Sequence, residues 1–356
     1  MKKLLALLLA AVMLFSFAAC TAVDNAPDSN ADGNPDSGNS QQATVLTKAM
    51  DLTVEWDKIA TAGSLVQGCV VVRNEFLQQN PAAVEAFLTE YEASINYLST
   101  NTAEAAQMIQ DNGIFAKAAV AQKAIPNSNV CYLEGASMKS AMQEYLTILN
   151  GINPASIGGQ LPADDFYYTP AEVGATDPNT AVRVYALNGT TGFGMAKLMN
   201  DAKNGTASQK YTFTVKTDAS EILTALIHGE VDIAALPTNA ASTAYQKTSG
   251  GVKILAVNTL GCLYLLTNQN QTVTSFADLK GKTVYVPAQN PTFIFTYLCE
   301  QNGLKVGTDV IISNSYAKPA DLREAVANGI VDIAVLPEPM VTMAISAAAA
   351  AAQAQS

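Results

Sequence analysis

Side chains able to do covalent or metal chemistry are scarce in this 356-residue chain. The single histidine, His228, falls in the last turn of a helical run, where a cationic side chain suits the negative end of the helix dipole. The five cysteines, Cys20, Cys69, Cys131, Cys262 and Cys299, lie too far apart for zinc or redox spacing. No serine sits in a nucleophile elbow, and no cysteine lies near the histidine. Gly189, Gly192 and Gly194 do not form a dinucleotide fingerprint. These residues suit binding rather than catalysis, and they imply no metal and no cofactor. Groups that both donate and accept hydrogen bonds gather instead at the ends of apolar runs. They are Asn188, Thr190 and Thr191 with Phe193, then Thr238 and Asn239, Asn258, Gln289, Asn290 and Thr292, and Glu338 between two prolines. Thr190, Thr191 and Asn239 suit helix capping equally well. Phe193, Tyr245, Phe293 and Tyr316 can stack on a flat ligand or pack in a core. Glu338 can accept from a ligand amine or from backbone N–H groups. No Lys or Arg falls in these segments, which favours a neutral or amine-bearing ligand over a small anion held by a guanidinium fork.

A repeat positions these groups. Residues 229–237 and 329–337 are the same phrase except at 230/330 and 235/335. Each phrase follows a helical run, 220–228 or 319–328, that closes on Gly229 or Gly329, where glycine adopts the left-handed conformation at little cost. The Val-Asp-Ile-Ala stretch reads as a short strand buried on both faces of a parallel sheet. Upstream, strand 183–187 precedes helix 193–203 as strand 282–286 precedes helix 293–302. Strand, helix, strand, helix, strand in each copy predicts an α/β protein of two doubly wound lobes. Ligands of such sheets lie beyond the carboxyl ends of the strands, where helix N-termini present free N–H groups, and the polar residues above fall there. Asp232 and Asp332 hold strand starts, Pro81 opens a helix over 81–98 followed by another over 102–110, and Trp56 buttresses the second lobe.

The first twenty residues read as an export signal: Lys2 and Lys3, an apolar run over 4–17, then Ala18, Ala19 and Cys20. The run resembles a bacterial lipoprotein signal, which implies cleavage before Cys20 and acylation of its thiol; an ordinary secretory signal is the alternative. It is short for a spanning helix, which needs about 20 apolar residues. Residues 21–42, rich in Asp, Asn, Pro, Gly and Ser, have little to bury and are expected to be a disordered tether. Hydrophobic residues at 49% and charged residues at 14% place the rest among compact globules. A net charge of −11 argues against nucleic acid as a partner. Cys69 and Cys262 each lie in an apolar run; a disulfide needs those strands to be neighbours, and buried free thiols are the preferred reading.

Together these features resemble the solute-binding component of a bacterial ABC importer, with the type II periplasmic binding protein fold. The matching phrases are 188–194, 229–239, 278–282, 329–339 with Pro337-Glu338-Pro339, and 51–56, and they resemble most the branch for nitrate, sulfonates and thiamine pyrimidine precursors. In that family the segments like 51–56 and 87–168 follow the one like 337–339, whereas here they precede it, so the chain resembles a circular permutation of the family order. The resemblance implies lobe one over 66–268 and lobe two over 43–65 plus 273–350. It implies a two-stranded hinge where the chain crosses between them, near 63–68 and 268–274. The implied function is capture of a small organic solute in the interlobe cleft by a monomer. It would be anchored to the membrane only through lipid at Cys20, and would deliver to an ABC permease. A tethered ligand-sensing module is the alternative, and a pyrimidine-synthase-like enzyme is disfavoured because the cysteine-rich iron motif of those relatives is missing.

Overall fold

A computed structural model describes residues 44–355 apart from 62, 64, 171, 172, 175 and 176. The expected signal over 1–20, Cys20 and the tether over 21–42 lie outside the described residues. The strands are β1 (Leu46–Asp51), β2 (Val66–Arg73), β3 (Val130–Leu133), β4 (Ala181–Leu187), β5 (Lys210–Lys216), β6 (Ile233–Pro237), β7 (Val252–Leu260), β8 (Leu263–Asn268), β9 (Thr283–Tyr285), β10 (Ile311–Ser313) and β11 (Ile333–Pro337). They form two sheets, one ordered β3-β7-β2-β6-β4-β5 and the other β1-β8-β11-β9-β10.

The repeat lies at the heart of both. β5, β4 and β6 run parallel in one sheet as β10, β9 and β11 do in the other, and Tyr185 faces Ala234 where Tyr285 faces Ala334. Helices Ala219–His228 and Pro319–Ala327 lead into β6 and β11, and Gly229 and Gly329 carry the expected positive φ of 71° and 68°. β6 and β11 are buried from Ile233 to Leu236 and from Ile333 to Leu336, as an interior strand requires. Each sheet then departs from a purely parallel pattern: β2 pairs antiparallel with β6, and β8 with β11, so each parallel triple is extended on that side by antiparallel strands. Burying Val66, Val70, Val71 and Val72 of β2 stabilises the fold by about 1.5–3 kcal/mol per side chain.

β7 and β8 follow each other in sequence but lie in different sheets, so the chain passes between sheets at Gly261 and Cys262, not at 268–274. The run of apolar residues hides this passage, because both strands are buried and only two residues part them. The other passage lies between Asp57 and Val66. Gly261 admits no side chain: a Cβ there would overlap Thr53 Oγ1. Trp56 is 1% exposed and makes a T-shaped contact with Tyr145, from the helix Gly135–Ile152, and a tilted one with Tyr297, from the helix Asn290–Gln301. It therefore joins elements that accompany different sheets rather than buttressing one alone. The segment expected as one helix over 193–203 is two, Thr190–Phe193 and Ala196–Asn204. Among the described residues no helix is long and apolar enough to cross a membrane.

Candidate functional site

Two of the sequence-predicted polar residues, Thr190 and Glu338, meet at the passage at Gly261 and Cys262. The antiparallel register sets the N-terminal ends of β2 and β8 beside the C-terminal ends of β6 and β11, with Gly68 opposite Pro237 and Leu263 opposite Pro337. Cys262 is the hub. Its N–H donates to Gln67 Oε1 at 2.7 Å, its carbonyl accepts from the Glu338 N–H at 2.9 Å, and its Sγ lies 3.8 Å from Thr190 Oγ1. Burial pushes this thiol up to about 12, and the Thr190 contact pulls the other way. A thiol so shifted stays neutral, consistent with Cys69, Cys131, Cys262 and Cys299 all being free.

Glu338 is 2% exposed. Its Oε2 accepts from the Thr342 N–H at 3.1 Å, in the first turn of the helix Met340–Gln355, while its Oε1 is buried with no hydrogen-bond partner among the described residues. Burial pushes its carboxyl above the ordinary carboxylate range, and the Thr342 bond and the Lys48 charge offset part of the rise. Asp51 and Tyr264 lie close by: Tyr264 is raised by burial and then by the charges of Asp51 and Glu338. A buried carboxylate oxygen without a donor is costly, so the site favours a group that donates to it.

At the mouth, Asn290 Nδ2 donates to Asn239 Oδ1 at 2.7 Å, joining the N-terminus of the helix Thr238–Lys247 beside β6 to that of the helix Asn290–Gln301 beside β9. Asn239 also donates to Ser156 O at 3.2 Å, and Asn290 Oδ1 is buried without a partner among the described residues. The two sheets thus meet through residues expected to meet a ligand, and the gap between them is shut here.

The remaining predicted residues divide plainly. Thr238 is fully buried and its hydroxyl donates to Val66 O at 2.9 Å, a bond that ties the helix start to β2. Asn258 donates to Tyr91 Oη at 2.9 Å and to Thr191 O at 3.1 Å, so it anchors the turn at 190–193. Thr292 Oγ1 donates to Pro287 O and accepts from Asn314 Nδ2. Phe193 is fully buried edge-on to Phe115, a core position in which its face is closed to a ligand. Asn188 and Gln289 are exposed on the rims and Thr191 is half-buried. Neither Thr190 nor Asn239 makes a side-chain capping bond. Sequence reasoning missed Gln67, Asp51, Tyr264 and the hub role of Cys262. Gly261-Cys262, a glycine breaking one long apolar run, was the available signal.

Among the described residues no group of acidic, histidine or cysteine side chains is placed to hold a metal ion. Residues 194–354 match the family model described as ABC transporter, phosphonate, periplasmic substrate-binding protein. No curated protein gives a significant match. Among solved structures, the periplasmic aliphatic sulphonate binding protein SsuA of Escherichia coli is similar at 21% identity and a TM-score of 0.36, over 48% of this chain and 58% of that one. An ABC transporter protein from Parabacteroides distasonis is similar at 20% identity and 0.33, over 48% and 56%. The alkanesulfonate-binding protein SsuA of Xanthomonas axonopodis pv. citri, bound to MOPS, is similar at 17% and 0.30, over 47% and 57%. The chain therefore spans less than two thirds of each of these proteins. The likeness to ABC-transporter periplasmic substrate-binding proteins is thus carried by residues 194–354, a little under half of the chain.

Proposed function

We propose that this protein is the extracytoplasmic solute-binding component of an ABC importer, held at the membrane through lipid on Cys20, and that it works as a monomer with a membrane permease. The two sheets act as lobes that open and close about two passages, one following Asp57 and the other at 261–262. Solute contacts both lobes only when they are shut, so binding shifts the population toward the closed form. The observation that carries this reading is the buried Glu338 with its unpartnered Oε1 beside the hinge. Together with Asp51 it makes this region acidic, which supports a solute that presents an N–H donor, such as the amino group of a thiamine pyrimidine precursor, over a sulfonate, phosphonate or nitrate. Thr190, Asn239 and Asn290 supply the surrounding polar contacts, with Asn188, Thr191 and Gln289 on the rims. Calorimetric titration of aminopyrimidines, alkylsulfonates, phosphonates and nitrate tests the solute class. Binding by an aminopyrimidine tighter than about 1 mM, near −4 kcal/mol, is expected. Tighter binding by a sulfonate or phosphonate would reverse the assignment.

The segment order is, in this reading, a circular permutation of the family order. Its support is that β1 and the helix Met340–Gln355 pack together, Leu46 sharing a cluster with Val341, Ala344 and Ala348. A chain joined from 355 to 44 and opened between 168 and 179 should fold and bind as the parent does; a chain so joined that fails to fold contradicts the permutation.

A further inference from the structure

The two aspartates of the repeated phrase stand at matching places, just before β6 and β11. Arg73 and Asn268 are counterparts: each ends the strand antiparallel to the phrase, and each donates its backbone N–H to the aspartate carbonyl at 2.9 Å. Arg183 and Thr283 are counterparts by the shared register of Tyr185 and Tyr285. Around Asp232 the arginines complete the carboxylate. Oδ1 accepts from Arg183 Nη2 at 2.6 Å and from Arg73 Nη2 at 3.3 Å, and Oδ2 accepts from Arg183 Nε and from its backbone N–H, both at 2.9 Å. Around Asp332 the donors among the described residues are side-chain amides: Asn268 Nδ2 donates to Oδ1 at 2.5 Å and Gln271 Nε2 to Oδ2 at 3.3 Å. Beside it, where the first repeat lays the Arg183 side chain, lies a cavity of about 380 Å³ lined by Asp332, Thr283, Tyr285, Gly281, Gln271 and Lys282.

A carboxylate offers roughly four acceptor positions, and a guanidinium fork fills two of them at once. We infer that this cavity binds a small guanidinium compound, its planar fork on Asp332 as the Arg183 fork is on Asp232. Lys282, whose Nζ donates to Gln271 Oε1 at 2.8 Å, lines the same cavity. Its charge disfavours a doubly cationic ligand more than a singly charged one and favours a tail that is neutral or anionic. The fork geometry also selects guanidinium over ammonium. Asp332 precedes β11 and Glu338 follows it, so this site lies at the opposite edge of the sheet from the proposed solute cleft and stands apart from that reading.

Methylguanidinium is the probe, titrated into the isotope-labelled full chain while the side-chain amide signals of Asn268 and Gln271 are followed by NMR. Saturable shifts of both signals are expected, lost in Asp332→Asn and lost in Thr283→Arg, which supplies the fork from within and raises Tm. If Thr283→Arg does not fold, the isosteric Asp332→Asn reads the outcome alone. The absence of a saturable shift below denaturing concentrations overturns the inference, and so does a shift that persists in Asp332→Asn.

Discussion

The two repeats follow one path and hold its ends with different groups. Their strands and helices need the same apolar pattern, and there the phrases agree almost residue for residue. At the outer edge, Asp232 is 3% exposed and clamped by two arginines, whereas Asp332 is half-buried and held by amides. At the cleft edge, the turn after β4 puts Gly189 at φ 95° and the turn after β9 puts Gln289 at φ 68°. Glycine takes such a backbone freely, while a residue with a Cβ is strained there. The first repeat is thus locked and relaxed; the second is loosely held and strained next to Asn290, the residue that meets the other lobe. Strain kept at a rim residue is consistent with a role in contact rather than in folding.

The largest expected contrast is at the aspartates. Asp232→Ala strands two guanidinium groups and should lower unfolding free energy by about 3 kcal/mol, whereas Asp332→Ala should lose about 1.5 kcal/mol. Denaturant titration measures both, and equal losses would break the comparison. Exchanging the turn residues comes next. Gly189→Gln meets no steric contact, so its loss of about 2 kcal/mol is conformational, while Gln289→Gly should gain about 1 kcal/mol, the strain released less the flexibility of glycine. A loss on Gln289→Gly would mean that the glutamine side chain supports the fold.

The smallest effect separates the edges by pH. Burial alone would raise Asp232, but the bonds from Arg183 and Arg73 outweigh it and hold its carboxyl below the usual range. Its contribution is therefore present above the unfolded pKa, near 3.9, and is lost as pH falls through the folded value. Glu338 has the opposite sign. Its folded pKa is raised, so its proton-linked contribution is full below the unfolded value, near 4.3, and is lost as pH rises through the folded value. Asp232→Asn should be less stable than the parent at neutral pH and converge on it in acid, where the parent carboxyl is itself protonated. Glu338→Gln should be the more stable protein at neutral pH and converge on the parent in acid.

Much of this was legible in the chain because buried strands leave a strong signal. The phrases at 229–237 and 329–337 mark β6 and β11, and the glycines that close the preceding helices mark where they begin. The polar ends were legible as a set but not one by one. Thr238 and Phe193 have the residue types of a site, yet long-range packing turns the first toward Val66 and the second toward Phe115. The passage at Gly261-Cys262 was misplaced because an apolar strand reads alike in either sheet, and the neighbour that forbids a Cβ, Thr53, lies far away in sequence. Arg73 and Arg183 gave no warning of their shared carboxylate, since β2 and β4 flank β6 only in the assembled sheet.

The claim on which the function rests is that solute enters between the lobes, and locking them tests it most directly. Asn239→Cys with Asn290→Cys replaces the hydrogen bond between them by a pair that oxidation can join, while Cys69, Cys262 and Cys299 are buried and the half-buried Cys131 is replaced by Ser. A solute identified by calorimetry should bind the reduced variant, more weakly than the parent because two polar contacts are gone, and should fail to bind when added after oxidation, with the weaker binding restored by a reductant. Unchanged affinity in the oxidised protein would place the solute outside the cleft and contradict the account.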